Sequence, residues 1–209
     1  MAWIDISMPL SEGTPRFPGD PPVVMEPLQR IDLGAPSNLS RWVLGSHAGT
    51  HVDAPSHFFR GAPSVDRLSL DTLAGPCLVV GGGADGRSVT AEELGKLPPG
   101  TTRVLLKTPN SLRWSRSLEY FDDYVELSEG GAARLLSAGV KLVGIDALSV
   151  ESDPTGRFPI HRLLLSRGVV ILEGLLLEAV REGASELACF PLALRDGDGA
   201  PVRAAVRPL

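Results

Sequence analysis

Three of the four histidines in this 209-residue chain fall within one stretch, His47-Ala-Gly-Thr-His51-Val-Asp53-Ala-Pro-Ser-His57. Two neutral imidazoles and a carboxylate form a borderline N/O donor set that suits Zn²⁺, Mn²⁺ or Fe²⁺. His47, His51 and Asp53 share the parity of one strand face. On a straight strand, however, His47 and Asp53 would stand ~20 Å apart, at ~3.3 Å per residue. Donors to one ion must come within ~3–4 Å of each other. A helix would align His47 with His51, but Gly49 and Pro55 both oppose a helix. The stretch must therefore bend, with Gly49 as the hinge. Pro55 stiffens the exit and keeps His57 nearby. The competing reading is ordinary loop chemistry: histidines that hydrogen-bond a loop, and Asp53 making an Asx turn before Ala-Pro.

The fourth histidine, His161, lies in Phe-Pro-Ile-His-Arg-Leu-Leu-Leu, and Glu173 follows twelve residues later at the end of the apolar run Gly-Val-Val-Ile-Leu-Glu. A carboxylate in such a run is costly unless a cation or hydrogen bonds compensate it. The alternative is a strand-end glutamate facing water. Spacing alone does not attach His161 to the other three histidines.

The elements that must position these groups are mostly strands. After a short strand around Ile4–Ser7, residues 1–40 carry Pro9, Pro15, Pro18, Pro21, Pro22, Pro27 and Pro36, which predicts an extended arm. Residues Arg41–Leu44 alternate into the histidine stretch. Apolar runs predict strands at Cys77–Val80, Val104–Lys107, Lys141–Ile145, Val169–Leu172, Leu187–Leu194 and Val202–Val206. Thr90-Ala-Glu-Glu93 is a capping box that opens a short helix. Ser128 opens a second, with Gly139 as its stop. No linker or repeat divides residues 1–209, so the expectation is one α/β (α+β) domain on a mixed sheet.

Composition narrows the function. Hydrophobic residues make up 43% of the chain, enough for a core, and the net charge is −5 without any basic run. Nucleic acid is not the expected partner, because phosphate binding needs a basic face. The start, Met-Ala-Trp-Ile-Asp-Ile-Ser, has no basic segment before a long apolar one, and no apolar run reaches the ~20 residues of a membrane span. Cys77 and Cys189 stand far apart in apolar segments and read as buried thiols. These features predict a cytoplasmic protein without a membrane partner.

The motif His-x-Gly-Thr-His-x-Asp-Ala-Pro-x-His resembles the signature of the metal-dependent cyclase family, which includes bacterial kynurenine formamidase and isatin hydrolase. Phe-Pro-Gly-Asp near the start, then Leu-Asp-Thr-Leu-Ala-Gly-Pro-Cys, Arg-Val-Leu-Leu-Lys-Thr, Gly-Val-Lys-Leu-Val-Gly-Ile-Asp, Val-Val-Ile-Leu-Glu-Gly and the closing Ala-Pro-Val-Arg resemble family segments in order. The resemblance implies a swivelling β/β/α, barrel-like fold and a hydrolase that holds two divalent ions, Zn or Mn. By that likeness His47, His51 and Asp53 bind the first ion, Asp53 reaches the second, His161 binds the second, and Glu173 bridges or chelates the pair. His57 corresponds to the histidine that gives and takes a proton. Phe17 stands where kynurenine formamidases carry Trp against the aromatic substrate; it can stack, with a smaller face and no indole N–H. The family's members usually assemble as homodimers or larger homo-oligomers.

The expected activity is hydrolysis of a small amide-type bond in a small-molecule substrate: a formamide, as in an arylformamidase, or a cyclic amide or lactone. A biosynthetic cyclase or dehydratase with the same ligands, or a metal-binding module without turnover, are the alternatives. Other signals carry less. Gly81–Gly86 matches Gly-x-Gly-x-x-Gly formally, but its helix begins only near Thr90 and no acid ends the next strand, so a glycine-rich turn is expected. No Gly-x-Ser-x-Gly elbow is present. Asp146 reads as a structural turn residue, and Arg113, Trp114 and Arg116 as a surface loop or as contacts to substrate or another subunit.

Overall fold

The computed structural model describes residues 2–209. Thirteen strands run along the chain: β1 Ile4–Asp5, β2 Val24–Gln29, β3 Leu39–Val43, β4 His51–Asp53, β5 Ala74–Gly81, β6 Ser88–Val89, β7 Arg103–Lys107, β8 Glu126–Leu127, β9 Leu142–Ile145, β10 Val170–Glu173, β11 Gly183–Ala188, β12 Gly199–Pro201 and β13 Ala205–Pro208. Five helices accompany them: α1 Leu70–Leu73, α2 Ala91–Leu94, α3 Asn110–Trp114, α4 Glu129–Ser137 and α5 Pro159–Leu165. Nine strands form one mixed sheet in the order β1-β13-β11-β5-β7-β9-β10-β4-β12. β5, β7, β9 and β10 are parallel, and the outer neighbours pair antiparallel. This is the expected α/β domain.

The alternation of the central strands sorts two apolar layers. On β7, Leu105 faces one layer, with Val52, Leu172 and Leu187; Val104 and Leu106 face the other, with Leu135 of α4 and Leu164 and Leu165 of α5. Burial on both faces explains why these strands read as continuous apolar runs. The period of two carries on along β10. Leu172 enters the first layer and Ile171 the second, so Glu173 points to the helix-covered side. Val52 on β4 likewise enters the first layer, which turns His51 and Asp53 toward α5.

Both sequence-predicted helix starts are present. Thr90 and Glu93 form a reciprocal capping box on α2, and Ser128 accepts from the Gly131 N–H on α4. Three short helices were not anticipated, α5 among them. The strand expected over Leu187–Leu194 instead ends at Ala188; Phe190, Leu192 and Leu194 beyond it are exposed, and Pro191 makes only an isolated bridge. Proline cannot donate to a ladder, so the apolar run does not continue as a strand. The strand expected over Val202–Val206 is split. Val202–Ala204 carries the chain from β12 at one end of the sheet to β13 at the other. Those residues bond Thr50 and Ile6, so the two ends lie close and the sheet curls into a half-barrel.

Within residues 1–40, the proline-rich segment holds β2, which pairs with β3 as a separate hairpin. The glycine run forms the expected turn: Gly83 and Gly86 have positive φ, and the Gly83 and Ala84 N–H groups donate to Glu93. Asp146 accepts from the backbone and side chains of Thr108 and Ser111 deep in the fold. Trp114 is no surface residue: it is buried and donates to the Asp146 carbonyl, while Arg113 pairs with Asp123 outside. Cys77 and Cys189 are buried free thiols, and burial pushes both up to about 12. Among the described residues, no helix is long and apolar enough to cross a membrane.

Candidate metal centre

The bend at Gly49 is real: its φ is +62°, in the left-handed region. It turns the loop carrying His47 back over β4, so that His47 Nδ1 lies 2.7 Å from Asp53 Oδ1. The space is closed as well. A Cβ on Gly49 would meet Leu10 Cδ2 at 2.8 Å, and one on Gly174 would meet the Gly49 carbonyl at 2.4 Å. That carbonyl accepts from His51 Nδ1 at 3.0 Å. The contact leaves His51 Nε2 to face two carboxylates, Glu173 at 3.1 Å and Asp53 at 3.4 Å.

Sheet register supplies the rest. Glu173 is the antiparallel partner of His51, so both side chains leave the same face side by side. His161 descends from α5 onto that face, its Nε2 3.4 Å from Glu173 and 3.6 Å from Asp53. Pro55 opens a single 3-10 turn that ends at His57, whose ring centroid stands 4.1 Å from that of His47. All four histidines therefore converge. Two groups of donor atoms each lie within 4.8 Å of one another, His47–Asp53–His57 and His51–Asp53–Glu173, and Asp53 is common to both.

The electrostatics are those of a site built around positive charge. Burial opposes charge on His51 and His161, yet hydrogen bonds and attraction from Asp53, Glu173 and Glu151 outweigh it and raise both to about 10. Burial likewise disfavours the Asp53 carboxylate, but His47 and His51 hold it well below the usual range. Burial lowers His57 beneath the ordinary imidazole value. Asp53 Oδ2 is buried and has no hydrogen-bond partner among the described residues. A buried carboxylate oxygen without a donor is costly, and a cation would satisfy it. Nitrogen and carboxylate donors in this number fit a divalent ion such as Zn²⁺ or Mn²⁺.

Beside these groups a cavity of about 350 Å³ is walled by Phe17, Phe58, Phe158 and Leu148, with Asp20 and Ser149 as further polar groups. Phe158 holds a left-handed backbone (φ 49°) immediately before Pro159, which opens α5. Such strain in a bulky residue persists only where its surroundings fix it.

Sequence reasoning missed several participants. Glu151 is buried and accepts from His161 Nδ1 at 2.7 Å and from the N–H groups of Ile160 and His161. Asp198, just before β12, lies 3.1 Å from His47 Nε2 and 3.7 Å from His57 Nδ1. Asp20 stands in the Phe-Pro-Gly-Asp segment, yet no local signal aims it at the cavity. Glu151 and Asp198 reach the histidines only through the fold.

Comparison with known proteins agrees with this geometry. A family model described as "Cyclase: Putative cyclase" matches residues 4–152. Kynurenine formamidase from Salinibacter ruber is 41% identical over 209 residues, covering 99% of this chain and 98% of its own. A predicted metal-dependent hydrolase from Bacillus stearothermophilus superposes with a TM-score of 0.83 at 30% identity, covering 98% of this chain and 97% of that one. Isatin hydrolase A from Labrenzia aggregata shares the fold, with a TM-score of 0.86 at 21% identity over 99% of this chain and 93% of its own. With its histidine motif folded into one centre, the chain belongs to the cyclase family.

Proposed function

We propose that this chain is a metal-dependent hydrolase of a small amide-type bond, acting on an aryl formamide of the N-formylkynurenine kind. The observation that carries the reading is the convergence of four imidazoles on Asp53 and Glu173 beside an aromatic-walled cavity. The kinship with a kynurenine formamidase at 41% identity supports the substrate class.

His47, His51 and Asp53 would hold one divalent ion. Asp53, His161 and Glu173 would hold a second, with zinc or manganese as the metal. When bound, such ions polarise a carbonyl and bring a water's pKa toward ~7. Everything else falls to the chain. Phe17, Phe58 and Phe158 stack the ring of the substrate and exclude water around it. His57 is the proton carrier. It is the least buried of the histidines, and burial keeps it neutral near pH 7, ready to accept a proton from water and pass it to the departing nitrogen. Asp198, hydrogen-bonded to His47 Nε2, keeps a negative charge 3.7 Å from His57 Nδ1. The two buried free thiols support a reducing, cytoplasmic setting.

The test is formate release from N-formylkynurenine by purified protein, before chelation, after it, and after returning Zn²⁺ or Mn²⁺. Turnover that disappears with the metal and returns with it supports the reading. Metal-loaded protein that cleaves neither this formamide nor any cyclic amide or lactone would overturn it.

A further inference from the structure

One carboxylate in the cavity stands outside the metal centre. The lining holds three acids and neither lysine nor arginine. Asp53 and Glu173 face the imidazoles. Asp20 belongs to neither group of converging donor atoms, and its side chain makes no hydrogen bond or ion pair among the described residues. It is half-buried, and burial raises its carboxyl above the ordinary 3.8 against the pull of His47, His51 and His57. A carboxylate short of both water and donors gains most from a cation that brings N–H groups.

A tight turn fixes where that carboxylate stands. Phe17-Pro18-Gly19-Asp20 closes through a hydrogen bond from the Asp20 N–H to the Phe17 carbonyl at 3.1 Å. Gly19 has φ +99°, and proline followed by such a glycine is the type II pattern. The two ends of such a turn lie within ~7 Å of each other. Phe17 and Asp20 are those ends, and the fold aims both at the cavity. An aromatic face and a negative charge are thus offered together from one short segment. The ligand that matches them is an aromatic ring with a cationic group a few bonds away. The cavity, about 350 Å³, is at the small end of the ~300–1,000 Å³ of ligand sites, with room for one ring and a short side chain.

We infer that Asp20 is a specificity-determining residue: it accepts from an ammonium group on the side chain of an aryl formamide, and selects cation-bearing substrates over neutral and anionic ones. The inference rests on the hydrolase reading above and narrows it. An anionic aryl formamide meets an unneutralised carboxylate and no basic side chain, so it is disfavoured twice. Asp20 holds a part of the substrate that does not react, in ground state and transition state alike. Its contribution therefore falls on KM and leaves kcat to the centre.

Three formamides test this with metal-loaded protein: N-formylkynurenine, which carries an ammonium beside its carboxylate; 2-formamidoacetophenone, the same aryl ketone without either; and N-formylanthranilate, which carries only a carboxylate. For the wild type, kcat/KM should fall in that order, by ~10-fold or more at the first step, the scale of a charge-assisted hydrogen bond. Asp20→Asn keeps the size of the side chain and should remove most of that first ratio, through a higher KM for N-formylkynurenine. Asp20→Glu should keep part of it. Bound metal per chain, by elemental analysis, should match the wild type in both. A wild type that cleaves the neutral formamide as well as N-formylkynurenine, or a ratio that survives Asp20→Asn, overturns the inference and leaves the hydrolase reading in place. So does a loss of metal in Asp20→Asn, or an equal loss on all three substrates, which would make Asp20 part of the centre. Cleavage of none of the three overturns the aryl formamide reading itself, and this inference with it.

Discussion

His47 and Asp53 are six residues apart in the chain, and their Nδ1 and Oδ1 atoms are 2.7 Å apart in space. The left-handed turn at Gly49 closes that distance, and the substitution most sensitive to it is Gly49→Ala. An L-residue in that conformation costs about 1–2 kcal/mol, and the new methyl would press on Leu10. Urea unfolding should show a loss of that size or more. Metal content should fall too, because the same turn aims His47 and fixes His51.

Glu151 touches His161 on the side away from the carboxylates. A group that orients a ligand's ring typically costs ~10–100-fold in metal affinity when removed. Glu151→Gln keeps one acceptor oxygen for His161 but loses the contact with the Ile160 N–H, and should weaken metal binding at the lower end of that range. Glu151→Ala should weaken it further and destabilise α5. Competitive titration with a chromophoric chelator measures both.

His57→Ala separates two roles for the ring beside His47. As a proton carrier, its loss should cut turnover by ~10²-fold or more and leave the stoichiometry of bound metal unchanged. Elemental analysis beside formate release distinguishes this outcome from loss of a ligand, in which metal and turnover would fall together.

Glu173→Gln removes the buried carboxylate that, with Asp53, faces both His51 and His161. Metal content is expected to drop by at least half, and activity with it. In the absence of metal the variant should also be destabilised by ~3–5 kcal/mol, the scale for breaking one side of a buried charge pair.

Asp146 gives a pH signature far from hydrolysis. Burial pushes its carboxyl up to about 6 from an ordinary 3.8, even though Thr108 and Ser111 donate to it. Its folded pKa lies above its unfolded one, so the folded state binds more protons between those values. The contribution is full below pH ~4 and is lost as pH rises through ~6, on the order of 3 kcal/mol. Asp146→Asn has no such dependence. The stability difference between wild type and variant, followed by urea unfolding from pH 4 to 7, should shift against the wild type over that window.

Much of the architecture could be read from local pattern. The apolar runs at β5, β7, β9 and β10 announce strands buried on both faces, and the capping residues Thr90, Glu93 and Ser128 lie where their helices start. The failures have local causes too. Leu187–Leu194 is apolar enough for a strand, but Pro191 and the crossing to β12 make it a loop. His161 looked unattached because its helix, α5, is only seven residues long and follows a proline.

The amino-acid sequence by itself determined the chemistry available to this protein: a scarce set of imidazoles, a glycine to bend the chain between two of them, and carboxylates at the close of apolar runs. Those are properties of residue type and of neighbours in the chain, where short-range sterics and hydropathy act. Only the tertiary structure decided that His161 and Glu173 join His47, His51, Asp53 and His57, and that Glu151 and Asp198 hold their rings. Strand register and the packing of α5 on the sheet make those contacts, through burial summed over residues far apart in sequence, which no local spacing records.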